Sequence, residues 1–162
     1  NLKGKVMIYK YYGDKIYTEE RRNSAGMRSN ALMVELLSQD PKRNKLIIDT
    51  IMELLQDEYV IIVMASSNLM LKTLGDLLPS DIDFGYLISD TPNDIRKKVK
   101  AESKVIFTNY MFSRVGINIP RATAMIFASP YKENGIQING RILRSDDPKL
   151  RIYIDKHILR NN

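Results

Sequence analysis

The 162-residue chain has no cysteine, no tryptophan and a single histidine, His157. Without thiols it can build neither a disulfide scaffold nor a thiolate metal site, and it suits a reducing, intracellular compartment. One imidazole does not make a His-based metal centre, so no metal site is expected. Long apolar runs are also missing. None approaches the roughly 18 residues that a membrane-spanning helix needs, so no membrane partner is expected. The opening "NLKGKVMIYKYYGD" lacks the sustained apolar core of a signal peptide. Two nucleotide fingerprints are absent as well. No Gly-rich dinucleotide motif follows the first expected strand, and no Gly-x-x-x-x-Gly-Lys-Ser/Thr loop occurs anywhere to cradle β- and γ-phosphates.

What is present is a basic, ordinarily hydrophobic chain. Lys and Arg number 25 against 19 Asp and Glu, a net charge of +6, and 44% of residues are hydrophobic. That suffices for one compact domain with a sizeable core. The charge suits a polyanionic partner, nucleic acid first among them.

Strand-like and helix-like segments alternate. "KVMIYKYYG" (5–13) reads as a strand and 19–30 as a polar, basic loop ending in an N-cap at Ser29 or Asn30. "ALMVELLSQ" carries Leu32, Met33, Leu36 and Leu37 at helical spacing. Asp40 and Pro41 then read as cap and first residue of a helix ending near Asp57. "YVIIVMAS" (59–66) is a continuous apolar run, the mark of a strand covered on both faces. A helix (68–78), a strand (84–89), a helix capped by Thr91 with Pro92 at its first position (90–102) and strands at 104–109 and 122–129 follow. The pattern closes on a helix at 136–145 and a strand at 150–155. Such alternation predicts an α/β fold, an open parallel sheet flanked by helices. Both ends read as cut from something longer.

Three expected strand ends are polar: Ser66 and Ser67, Ser89 and Asp90, Thr108 and Asn109. Ligands of open α/β sheets gather beyond the carboxyl ends of the strands. Each hydroxyl taken singly is most simply a helix cap, but three polar ends on one rim suit phosphate oxygens. In "QINGRILR" (137–144), helical spacing places Gln137, Arg141 and Arg144 on one face, with Gly140 allowing a close approach. Two forked guanidiniums on one ridge suit phosphate, and the alternative is a solvated basic face. Tyr9, Tyr11, Tyr12 and Tyr17 precede Arg21, Arg22 and Arg28. Aromatics among basic residues can stack bases, or the segment is an edge strand with a solvated loop. "QDEYV" (56–60) imitates a metal-binding Asp-Glu pair, but it would end a helix rather than a strand.

The order of these segments resembles the second RecA-like lobe of superfamily 2 helicases. "YVIIVMASSNLMLKTL" resembles their motif IV, "VIFTNYMFSRVGINIP" their motif V and "QINGRILR" their motif VI, Gln-x-x-Gly-Arg-x-x-Arg. The glutamine and the "GRILR" ending are closer to XPB-type and UvsW-type DNA translocases and to transcript-release helicases of large DNA viruses than to DEAD-box proteins. The resemblance spans most of 46–155, leaving 1–45 as a strand, loop and helix that lead into a lobe at 46–162. It implies a P-loop NTPase-type lobe without its own phosphate loop, inactive by itself. Its implied partners are a preceding RecA-like lobe that holds ATP with Mg, and nucleic acid, DNA rather than RNA. By position, Arg141 and Arg144 would be arginine fingers, with Arg144 toward the γ-phosphate and Gln137 orienting the site. Gly116 and Asn118 would lie near the nucleotide, and Ser66, Ser67, Ser89, Thr108 and Asn109 on the nucleic-acid track. Where many relatives have Glu-Gly-x-Asp, this chain has "VGIN" (115–118), so Asn118 brings no charge. The Lys-, Ile- and Asn-rich composition suits a viral protein acting in a host cytoplasm or carried in a virion. The competing expectation is a non-catalytic nucleic-acid or protein-binding module that keeps the fold.

Overall fold

The computed structural model describes residues 5–11, 13–114, 118–130 and 149–155. In chain order the elements are β1 (Lys5–Tyr11), α1 (Lys15–Thr18), α2 (Asn30–Leu37), α3 (Pro41–Gln56), β2 (Ile61–Ala65) and α4 (Asn68–Leu77). β3 (Phe84–Leu87), α5 (Asn93–Glu102), β4 (Val105–Asn109), α6 (Tyr110–Arg114), β5 (Ala124–Phe127) and β6 (Lys149–Asp155) follow. The six strands form one sheet in the order β1-β6-β5-β2-β4-β3. Every pairing is parallel. This is the open α/β sheet that the alternating pattern predicts.

The continuous apolar runs are explained by burial on both faces. All five residues of β2 are buried, and they divide with the period of two that a strand imposes. Ile61, Val63 and Ala65 face one core with Val105, Phe107, Ala124 and Ile126, beneath α2, α3 and α4. Ile62 and Met64 face a second core with Ile106, Met125, Phe127, Val99 and Ile119, on the side of α5. Each fully buried Ile, Leu or Phe contributes roughly 1.5–3 kcal/mol, so neither face is spare.

Helix boundaries follow their caps. Ser29 caps α2, its hydroxyl accepting from the Leu32 amide. Asp40 caps α3, accepting from Lys42 and Arg43 amides, and Pro41 opens the helix as expected. Ile47, Ile51 and Leu54 form the buried face of α3. The chain leaves α3 through Glu58 at φ 64°, so the Asp57 and Glu58 pair does end a helix.

Three expectations need correction. Thr91 is not the cap of α5, which begins after Pro92 without a side-chain cap. Thr91 instead donates to the Tyr86 carbonyl at 3.0 Å and accepts from the Ile88 amide at 3.2 Å, fastening the end of β3. In α2 the buried positions are Met33, Val34 and Leu37, while Leu32 is 41% exposed. Two short helices, α1 and α6, stand where the sequence pattern gave no element. Both fall below the length at which hydrophobic periodicity is readable. β1 pairs with β6 along its whole length and α2 packs into the first core. Residues 5–11 and 30–37 are thus built into the same sheet and core as the rest.

Candidate nucleic-acid interface at the carboxyl rim

Because every strand is parallel, all carboxyl ends open on one rim. Register brings three of them level: Ala65 pairs with Asn109, and Met64 pairs with both Thr108 and Phe127. Ser66, Asn109 and Ser129 therefore emerge side by side. The Ser66 amide donates to the Ser129 hydroxyl at 2.8 Å, and the two hydroxyl oxygens lie 3.2 Å apart. The Ser67 hydroxyl caps α4 by accepting from the Met70 amide at 3.3 Å. Asn109 spans two elements. Its Nδ2 donates to Asn68 Oδ1 at 2.8 Å, and its Oδ1 accepts from the Phe112 amide at 2.7 Å, capping α6.

Thr108 is placed differently from the expectation. It is fully buried, and its hydroxyl donates to the Leu87 carbonyl at 2.7 Å. A β-branched residue on a covered strand points into the sheet's face, so it braces β3 against β4 rather than standing on the rim. Ser89 and Asp90 are exposed beyond β3. Arg96 of α5 reaches back to this end, donating to the Ser89 carbonyl at 2.9 Å and the Ile88 carbonyl at 3.3 Å. Its guanidinium lies 5.0 Å over the Phe112 ring, a cation–π contact that ties α5 to α6. Asn118 is exposed. Gly116, Gln137, Gly140, Arg141 and Arg144 lie outside the described residues.

Sequence reasoning missed Ser129, Asn68, Tyr110 and Arg43. Ser129 carried a usable signal, since it follows an apolar strand just as Ser66 and Ser89 do. Asn68 looked like the first residue of a helix and Tyr110 like core filler. Arg43, on the buried face of α3, had no signal in the pattern.

The rim presents the hydroxyls of Ser66, Ser67 and Ser129, the carboxamides of Asn68 and Asn109 and the amino-terminal turn of α4, whose dipole favours anions, with the exposed Asp90 and the Arg96 guanidinium at its β3 end. Among the described residues no group of three His, Cys, Asp or Glu is arranged to hold a metal ion. Among the described residues, the two groups with clearly moved pKa values lie elsewhere. Burial, then the nearby Asp76 carboxylate, raises Tyr86 above its usual value. Burial lowers Arg121, which donates to the Val99 and Lys100 carbonyls at the end of α5. No helix of the described residues is long and apolar enough to cross a membrane.

No family model matches the chain. It is 31% identical over 133 residues to the transcript termination protein A18 of Yaba monkey tumor virus, a match covering 74% of this chain and 27% of that protein. Among solved structures it resembles T4 UvsW, with a TM-score of 0.65 and 17% identity, over 91% of this chain and 31% of that one. Dbp5 of S. cerevisiae bound to RNA and ADP BeF3 gives 0.58 and 16%, over 96% and 38%. The C-terminal part of the Fun30 ATPase domain gives 0.59 and 17%, over 73% and 42%. The chain thus spans about a quarter of the curated relative and under half of each of these structures.

Proposed function

We propose that this chain, whose fold is that of the RecA-like C-terminal lobe of helicase domains, is the second motor lobe of an ATP-dependent helicase or translocase. The observation that carries the reading is the alignment of Ser66, Asn109 and Ser129 on one carboxyl rim. The "QINGRILR" stretch follows that rim in sequence.

In this reading the α4 amides near Ser66 and Ser67, together with Asn109 and Ser89, meet the phosphates of one nucleic-acid strand. Thr108 contributes from below, holding β3 and β4 together under that track. Arg141 and Arg144 present guanidiniums to the γ-phosphate of a nucleotide held by a preceding lobe, with Gln137 setting their orientation and Gly116 and Asn118 nearby. ATP with Mg supplies the phosphoryl group whose transfer releases free energy. The protein's part is to bring cationic donors to the developing charge, which forked guanidiniums do well. Opening and closing of the two lobes then shifts the rim's grip along the strand. The likeness to a viral transcript termination protein supports a viral nucleic-acid enzyme, and the resemblance of "QINGRILR" to the motif of DNA translocases is the ground for DNA as the track.

The test is nucleic-acid-stimulated ATPase activity of the longest natural protein that contains this chain, with Arg144→Ala beside it. Arginine fingers contribute roughly 10³–10⁵ in rate, and a loss of that order is expected. Unchanged hydrolysis in Arg144→Ala would sink the assignment. A wild-type protein that binds nucleic acid yet hydrolyses nothing would be the non-catalytic module instead. Titration with single-stranded DNA and RNA of one sequence decides the preferred track.

A further inference from the structure

The loop between α1 and α2 is a built hairpin. Arg22 and Arg28 face each other as an antiparallel bridge. The Ser29 amide donates to the Arg21 carbonyl and the Asn23 amide to the Met27 carbonyl, both at 2.8 Å. At the tip, Asn23 Oδ1 accepts from the Ala25 and Met27 amides at 3.0 Å, an Asx turn. Gly26 takes φ 76° there, which glycine adopts without steric cost. None of these bonds uses the Ser24 hydroxyl. Every residue from 19 to 28 is exposed. A Cβ added at Gly26 would meet nothing within 4 Å, so the tip stands clear of the body.

The charges of the hairpin converge on one point. Arg22 Nη2 lies 3.4 Å and Arg28 Nη1 3.9 Å from the same Glu20 Oε1. Arg22 also donates through Nη1 to the Gly26 carbonyl at 2.8 Å, which lays its guanidinium across the turn. Arg21 faces Glu19 at 3.8 Å. Over 19–28 three arginines stand against two glutamates, a net charge of +1, which is little to offer a polyanion. Exposed pairs this long contribute almost nothing to stability, so each arginine exchanges its partner readily for a better-placed anion. Arg21 and Arg22 stand three and two residues before Ser24, and no other serine or threonine of the sequence has arginine at both places. Acidic clefts of basophilic protein kinases select this spacing, because carboxylates take guanidiniums as forked, charge-assisted pairs.

We propose that Ser24 is a phosphoacceptor for a basophilic serine/threonine kinase, and that Arg22 and Arg28 of the same hairpin then hold the phosphate in place of Glu20. In the transfer the Ser24 hydroxyl oxygen bonds to the γ-phosphorus of ATP, and its proton passes to the kinase's carboxylate base. The bond from that phosphorus to the bridging oxygen breaks, and ADP leaves. The new group carries about −1.5 to −2 charges at pH 7, which turns the hairpin from weakly basic to weakly acidic. The inference is independent of the motor-lobe reading.

The experiment uses the longest natural protein containing this chain, made in bacteria and incubated with ATP, Mg and the catalytic subunit of cyclic-AMP-dependent kinase. An acidophilic casein-type kinase is the contrast. Mass spectrometry of peptides is expected to find a phosphoryl group on Ser24 with the first kinase and not the second, and none there in Ser24→Ala. Arg21→Ala and Arg22→Ala should each lower kcat/KM for phosphorylation of Ser24 by about tenfold, the scale of one charge-assisted hydrogen bond. In phosphorus NMR of the product, the phosphate should titrate below the ordinary midpoint of about 6, and Arg28→Ala should raise that midpoint. A bare Ser24 overturns the inference, as does transfer that ignores both arginines or runs equally well with the acidophilic kinase. A midpoint that Arg28→Ala leaves unmoved overturns the hold by the hairpin's own arginines. Ser24 is exposed and outside the turn's bonds, so circular dichroism should find Ser24→Ala folded as the parent.

Discussion

Asn109 and Asn68 meet side chain to side chain at 2.8 Å, the last residue of β4 donating to the first residue of α4. The same Asn109 carboxamide caps α6 through the Phe112 amide. One side chain thus joins the end of β4 to the start of α4 and caps the next helix.

Asn109→Ala removes both contacts. An N-cap is worth about 1 kcal/mol and a net hydrogen bond about as much, so a loss of roughly 1–2 kcal/mol is expected in urea unfolding. Asn109→Asp keeps the acceptor for Phe112 and loses the donor to Asn68. It should recover about half of that loss, and no recovery would mean that the α6 cap contributes nothing.

Gly75 and Gly85 both lie where a side chain would collide. A Cβ at Gly75 would come 2.0 Å from the Tyr86 hydroxyl oxygen, and one at Gly85 would come 2.4 Å from Val99 Cγ2. Overpacking of this kind costs roughly 1–3 kcal/mol. At Gly75, inside α4, alanine regains about 1 kcal/mol of helix propensity, whereas Gly85 sits in β3, where the helix gain does not apply. Gly85→Ala should therefore be the more destabilising of the two in thermal or urea melts. The reverse order would show that Val99 can move aside and the Tyr86 ring cannot.

Burial raises the Tyr86 pKa above the ordinary value of 10.0, with the Asp76 charge adding to it. The folded state thus holds this proton more tightly than the unfolded chain does. The associated stability is fully present below the ordinary tyrosine pKa and is lost as pH rises through the raised value. Stability measured upward from about pH 9 should show an alkaline decline, part of which disappears in Tyr86→Phe. An identical decline in the variant would assign it to other groups.

The class of fold was legible because a parallel sheet covered on both faces writes itself as apolar runs separated by amphipathic helices. "YVIIVMAS" shows this directly, since all five residues of β2 are buried. Caps were legible where the capping side chain acts within its own helix, as Ser29, Asp40 and Ser67 do. Thr91 was misread because its hydroxyl bonds back to Tyr86, and local sequence does not tell a backward bond from a forward one. The candidate site was half legible. Polar strand ends announced the rim, but Thr108 belongs to the sheet's interior.

Sequence alone determined the parallel α/β plan, the caps of α2 and α3 and the Gln-x-x-Gly-Arg-x-x-Arg spacing, because each depends on residues within one or two turns of each other. Tertiary structure alone decided that Thr108 is a brace, that Ser129 completes the rim and that Arg43 and Tyr110 donate to the Ala128 and Ser129 carbonyls beyond β5. Those contacts join residues as far as 85 positions apart. They exist only once the strand order has set which ends lie side by side, and no local periodicity encodes that order.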